Sequence, residues 1–381
     1  MSASPTTLSG PSTDVDEESP DYLTRQLITC IGNKRALLGP IESAVRTVRE
    51  RTGREKLRIL DAFAGSGVVS RMLRRHASEL LTNDIEDYAR ELGACYMTNR
   101  SEVPTAELDR VVCELNRRVA VGAEPAGFIA ELYAPRDVSN IRPGERVFYT
   151  PENAHRLDAY RQLIGGQDPA LRSLLLGPLL SSASIHANTA GVFKGFYKDS
   201  RTGIGKLGGS GGDALSRIAA PIVLEPPVLS RFECECAVTR RDANELVREL
   251  GALDVAYLDP PYNQHPYGSN YFMLNLLVDY RRPSELSRVS GIPADWRRSD
   301  YNVRARALPR LRDLVEGVDA SFIILSFSDD GFISPPELRE FLGAVGRVSE
   351  QVQPHATFRG SRNLRNRSAQ VAEHVYLVEK R

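Results

Sequence analysis

Four consecutive residues, Asp259-Pro260-Pro261-Tyr262, follow the apolar run Val255-Ala256-Tyr257-Leu258 and carry the most specific chemistry in the chain. Two successive prolines fix φ and remove two N–H donors, so the backbone is stiff and its carbonyls stay free as acceptors. The Asp259 carboxylate and the Pro260 carbonyl suit a group with two amino hydrogens, and the Tyr262 ring offers a stacking face. An exocyclic amine on a nucleobase is a poor nucleophile because its lone pair is delocalised into the ring. Acceptors placed around its hydrogens favour a pyramidal nitrogen whose lone pair can attack. The plainer reading of the same residues is a strand-end turn with a packed tyrosine.

Two further signals stand earlier in the chain. The stretch Asp61-Ala62-Phe63-Ala64-Gly65-Ser66-Gly67 follows another apolar run, and its glycines let backbone approach a ligand closely. Asp84 comes 17 residues after Gly67, close to the offset at which an acid accepts hydrogen bonds from ribose hydroxyls in nucleotide-binding sheets. A tight turn and a helix N-cap are the simpler alternatives.

These residues need a scaffold that gathers strand ends. Leu57 to Leu60 reads as a buried strand, the glycine bend follows, and a helix begins near Val68. A second short strand ends at Asp84 and leads into another helix. Strand, helix, strand, helix with short connections predicts a doubly wound α/β sheet, which places ligands at the carboxyl ends of its strands. The strand pattern returns in ECECAV, ALDVAYL, ASFIILSFS and HVYLVEK, and no internal repeat is present. Upstream, a Gly-Asn turn delivers Lys34 to a helix with Leu37, Leu38, Ile41, Val45 and Val48 on one face.

Between the second and third strands the alternation gives way to helical stretches. The expected organisation is a flexible tail at 1–20, a catalytic domain from 21–104 and 231–381, and an inserted, mainly helical domain at 105–230. The tail is rich in Ser, Thr, Pro and acid and has little to bury. Within the insert, Lys194, Lys198, Arg201 and Lys206 interleave with Phe193, Phe196 and Tyr197, a composition suited to phosphate contact and base stacking. A second basic run, Phe358 to Arg367, holds Arg359, Arg362, Arg365 and Arg367 without an acid. Solvated surface segments are the alternative for both.

With 49 basic and 49 acidic residues the chain has no net charge, so any attraction to a polyanion must come from such local clusters. The five cysteines are scattered without metal-ligand spacing, which predicts reduced thiols in a cytoplasmic protein and no metal site. No basic and apolar leader opens the sequence, and its apolar runs fall short of the roughly 20 residues that span a bilayer, so no membrane role is expected.

From Gln26 onward the motifs IGNKRALL, DAFAGSGVVS, LTNDIEDYA, NTAGVFKGFYK, YLDPPYNQHPYGSNYFMLN and LSFSDDG stand in the order of the Dam-type, alpha-group adenine-specific DNA methyltransferases, which this chain resembles in their restriction-modification branch. The resemblance implies a Rossmann-like methyltransferase sheet, S-adenosyl-L-methionine as donor, double-stranded DNA as substrate and a target-recognition domain inserted before Asp259. A cognate restriction endonuclease is a candidate partner. Carried over by position, it makes Cys30 and Lys34 cofactor contacts, and it sets Asp61, Phe63, Gly65, Ser66 and Gly67 beside the donor. It makes Asp84 the ribose acceptor, puts Asp242, in the strand before Asp259, near the donor's adenine, and gives Asp259 both cofactor and catalytic roles. Cys30 departs from the family, which has an aromatic residue there. Asp259 favours adenine over cytosine. An RNA methyltransferase on the same sheet and a non-catalytic DNA-binding regulator are the competing readings.

Overall fold

The computed structural model describes residues 18–209, 211–356 and 370–381. Its strands are β1 (Leu57–Asp61), β2 (Ala77–Asp84), β3 (Glu235–Arg240), β4 (Leu253–Leu258), β5 (Ala320–Ser328), β6 (Gly346–Ala356) and β7 (Gln370–Lys380). They form one seven-stranded sheet in the order β3-β2-β1-β4-β5-β7-β6. β3, β2, β1, β4 and β5 run parallel, and β7 is antiparallel to both of its neighbours.

Each strand expected from an apolar run is present; β6 is the addition. Its sequence GRVSEQVQPHA is mostly polar because it lies at the sheet edge, where its apolar residues have little to pack against.

Residues alternate between the two faces with the period of a strand. From β5, Phe322 and Ile324 join one core while Ile323, Leu325 and Phe327 join the other. The first core is covered by the helices Leu38–Thr52, Val68–Leu73 and Asp87–Tyr96, the second by Arg304–Gly317 and Pro335–Val345. The predicted apolar face is buried at Leu37, in the turn that leads into the helix Leu38–Thr52, and at Ile41, Val45 and Val48 within it, while Leu38 is half-buried.

The stretch between β2 and β3 forms the helices Thr105–Val121, Phe128–Tyr133, Pro151–Gly165 and Pro169–Ile185, and their apolar residues extend the first core without a break. Pro169–Ile185 packs directly on Asp87–Tyr96, so closely that a Cβ at Gly177 would stand 2.6 Å from the Cys95 Cβ. Only glycine permits that approach. Arg161 donates to the carbonyls of Leu277 (2.7 Å) and Val278 (2.8 Å), tying this block to the end of the helix Phe272–Asp279. At the other end of the chain, residues 1–17 of the expected tail lie outside the described residues. Glu18 is buried, and its carboxylate accepts hydrogen bonds from the Ser230 hydroxyl and the Arg231 N–H.

Candidate active site

The sheet order reverses between β1 and β4, and there the parallel register aligns Asp61 with Tyr257 and with Thr82. The carboxyl ends of β1, β2 and β4 therefore open into one crevice, at the place where such sheets bind ligands. The cleft encloses about 910 Å³ out to its open mouth. Among its lining residues are Cys30, Lys34, Asp61, Phe63, Gly65, Ser66, Asp84, Asp242, Asp259 and Pro261.

The loop after β1 is held by backbone. Ala64 N–H donates to the Asn83 carbonyl (2.8 Å), Gly67 N–H to the Ala64 carbonyl (2.7 Å), and Gly65 N–H to the Asp84 carboxylate (2.8 Å). Gly65 (φ 53°) and Gly67 (φ 74°) take the left-handed conformation, and no atom lies within 4 Å of where a Gly67 Cβ would be. The loop thus combines a turn that favours glycine with open space beside it.

Charge is concentrated here. Lys34 is buried, and its Nζ lies 2.9 Å from Asp259 Oδ1, donates to the Gly32 carbonyl at 3.1 Å and sits 5.3 Å from the Tyr262 ring centre. Burial is the largest single influence and opposes the ammonium charge, but Asp259, Tyr262 and Glu373 together outweigh it and hold the lysine above its ordinary value. Burial lifts Asp259 to about 6, with Lys34 pulling it down and the charges of Glu373 and Asp84 pushing it up. Asp61 is lifted to about 7, by burial above all and against the Ser70 hydroxyl hydrogen bond (2.5 Å), and its Oδ1 is buried without a partner among the described residues. Burial also raises Asp84, although the N–H groups of Glu86, Gly65 and Ile85 oppose it.

Other expected residues are placed differently. Asp242 lies beyond the end of β3, not within the strand, and caps the short helix Ala243–Leu246. It also binds Arg310 (2.9 and 2.8 Å), so its charge is compensated within the protein. Cys30 lines the cleft with its thiol pushed up to about 12 by burial. Gly67 caps the helix Val68–Leu73 at the cleft's edge. Pro260 is buried, and Tyr262 packs its ring against Phe327 at 5.8 Å.

Lys194, Lys198 and Arg201 are exposed and Lys206 is half-buried, in a segment that turns back where Lys198 bridges Gly205. Phe193 N–H donates to the Asn270 carbonyl (2.7 Å), which seats this segment on the short helix Tyr267–Asn270; Tyr267 of that helix lines the cleft. Arg359, Arg362, Arg365 and Arg367 lie outside the described residues.

Several lining residues were not singled out in the sequence. Glu86 is buried, lifted to about 7 mainly by burial, and accepts from the Asn275 amide at 2.7 Å. Its position two residues beyond Asp84 was the one available signal. Arg297, Ser299, Tyr301 and Asn302 come from an irregular stretch before the helix Arg304–Gly317, and Tyr301 meets Phe63 edge-on at 5.4 Å. Nothing local in that stretch announces a site.

A mixed sheet with its ligand crevice at the switch point, a glycine loop after β1, an acid after β2 and Asp-Pro-Pro-Tyr after β4 define a Rossmann-like methyltransferase directed at an amino group. More narrowly, the chain belongs to the D12 class N6 adenine-specific DNA methyltransferases, whose family model matches residues 31–290. It is similar to the type II methyltransferase M.NlaIII of Neisseria lactamica, 26% identical over 358 residues and covering 92% of this chain and 98% of that protein. The type II methyltransferase M.CviAII of Paramecium bursaria Chlorella virus 1 is 26% identical over 319 residues, with 82% and 87% covered. The modification methylase StsI of Streptococcus sanguinis, 25% identical, matches 92% of this chain but 52% of its own length. The protein is therefore an adenine-specific DNA methyltransferase that acts on DNA. No helix among the described residues is long and apolar enough to cross a membrane.

Proposed function

We propose that the donor is S-adenosyl-L-methionine and the acceptor is the N6 amine of an adenine flipped out of duplex DNA. The observation that carries this reading is Asp259 at the end of β4, facing the same cleft as Asp61, Asp84 and the glycine loop. The cleft suits a cationic donor: the acids Asp61, Asp84, Glu86, Asp242 and Asp259 outnumber Lys34, Arg241 and Arg297, Asp61 keeps an unpaired oxygen, and Gly67 leaves room for a close approach. When bound, that donor supplies an activated methyl group on a sulfonium sulfur.

The protein's part is to grip and orient. Asp84 accepts from ribose hydroxyls, Asp61 and the Phe63 to Gly67 loop hold the methionine end, and Cys30, Lys34 and Asp242 complete the donor's walls. The Asp259 carboxylate and Pro260 carbonyl accept hydrogen bonds from the two amine hydrogens, one of which leaves as a proton once the nitrogen carries the methyl; Pro261 keeps the turn stiff, and Tyr262 stacks on the adenine. Flipping the base costs a few kcal/mol, repaid by these contacts. Direct transfer to nitrogen needs neither a metal nor a covalent enzyme intermediate.

Residues 105–230 serve as the target-recognition region, with Lys194, Lys198, Arg201 and Lys206 meeting phosphates near the cleft mouth. Arg359, Arg362 and Arg365 are proposed as further phosphate contacts from their sequence. The relatives' names support a type II restriction-modification setting; an endonuclease of the same specificity is the proposed partner and the cytoplasm the proposed compartment.

The test is methyl transfer from labelled donor to unmethylated genomic DNA, with digestion to nucleosides. Labelled 6-methyladenine is the expected product; labelled 4-methylcytosine, or transfer to RNA alone, would overturn the reading. A pH dependence follows as well. Asp259 is the stronger acceptor of amine hydrogens when ionised, because the charge strengthens the hydrogen bond, and its value is raised to about 6. The second-order rate constant at low DNA, which reports the free enzyme, should therefore rise as pH increases from 5 to 7, with its midpoint near that value, and level off above. A flat profile over that range would count against Asp259 as the acceptor.

A further inference from the structure

Glu373 lies on β7, outside every motif legible in the sequence, yet it reaches the centre of the site. It is buried, its Oε2 stands 4.0 Å from Lys34 Nζ, and that oxygen has no hydrogen-bond partner among the described residues. The gap is too long for a hydrogen bond and too short for a water in line between the two atoms. A buried carboxylate oxygen left without a donor is costly, and such exceptions call for a reason.

The reason lies in what the Lys34 ammonium already does. Of its three donors, one goes to the Gly32 carbonyl at 3.1 Å and one to Asp259 Oδ1 at 2.9 Å. Asp259 thus already accepts from the ammonium, which weakens it as an acceptor for the amine hydrogens assigned to it above. Resting on that assignment, we infer that Glu373 is a second counter-ion for Lys34, which takes the ammonium as the target amine arrives and so frees Asp259. A shift of roughly 1 Å brings Nζ within hydrogen-bond range of Glu373. The lysine remains charged and paired throughout, so no bare ammonium is created in a buried site. Glu373 is a positioning residue: it acts through Lys34 and touches neither donor nor base.

The charged and titratable groups around Asp259 are Cys30 and Lys34 ahead of the helix Leu38–Thr52, Asp61 on β1, Asp84 on β2, Tyr257 on β4, Tyr262 and Tyr267 beyond β4, and Glu373 on β7. Removing the negative charge of Glu373 lets Asp259 ionise at lower pH. The experiment is single-turnover transfer by E373Q, at saturating donor and DNA, across pH 5 to 8. The rate should fall about 10- to 100-fold, the loss that a 1 Å misplacement produces, with dissociation constants for donor and DNA within about twofold of the parent. The acid limb should move to lower pH.

E373M, which removes the charge while filling similar space, should behave alike and serves if E373Q does not fold. A parent-like rate in either folded variant overturns the inference, and so does a slowed rate whose acid limb has not moved, the mark of a merely structural role. Asp259→Ala run alongside separates the two levels. Transfer surviving that change sinks the assignment of Asp259 itself; transfer lost there but intact in E373Q sinks only the role of Glu373.

Discussion

Asp259→Ala should lower the single-turnover rate of methyl transfer by about 10³-fold, the scale on which one preorganised electrostatic contact to the reacting group acts. The substitution removes the carboxylate that faces the cleft and that pairs with Lys34 at 2.9 Å. It leaves the Pro260 carbonyl in place, so the amine keeps one acceptor of two. Breaking a buried ion pair by deleting one partner costs about 3–5 kcal/mol. Here Glu373, 4.0 Å from the same ammonium, remains to offset part of that cost. The variant should accordingly fold and bind DNA while failing in the chemical step. Asp259→Asn is the finer probe: its amide oxygen still accepts, its charge is gone, and the acid limb near pH 6 should vanish with it. Rates of labelled transfer at saturating donor, together with a denaturation midpoint for each variant, separate lost chemistry from lost structure.

Arg74→Ala should produce the largest loss of stability from a single residue remote from the chemistry, about 3–5 kcal/mol. Arg74 is fully buried below the sheet, and its guanidinium donates to the Phe232 carbonyl at 2.8 Å, to the Met97 carbonyl and to the Asn99 side-chain oxygen. These acceptors flank the helical block on both sides, where the chain leaves the first catalytic segment and where it returns to β3. Alanine would leave the buried Met97 carbonyl and the half-buried Phe232 carbonyl without this donor, take one of two donors from the Asn99 side-chain oxygen, and open a cavity of arginine size. Lysine would not rescue it, because one ammonium lacks the planar fork that serves three directions. A urea titration should show a lower midpoint at an unchanged slope. A midpoint within experimental scatter of the parent would mean that these contacts do not secure the junction.

The chemistry was legible where it depends on neighbours in sequence. Two prolines stiffen the backbone after Asp259, glycines at 65 and 67 permit the turn after β1, and apolar runs of strand length specify β1, β2, β4 and β5. Steric limits on φ and the drive to bury apolar side chains operate within a few residues, so they leave a local trace. The family of the chain could be read from those traces.

Contacts that depend on the register of distant strands left no trace. The pairing of Lys34 with Asp259, the approach of Glu373 from β7, the walls supplied by Arg297, Tyr301 and Asn302, and the capture of Asp242 by Arg310 belong to this group. So do the polar edge strand β6 and the merging of the helical block with one face of the sheet. A side chain's type states what it can bind, but its partner is set by which strands lie side by side and by how far each is slid along the next. The sequence by itself determined the family and the kind of scaffold; only the tertiary structure decided which charges share the buried crevice, because burial and Coulomb attraction act across space and not along the chain.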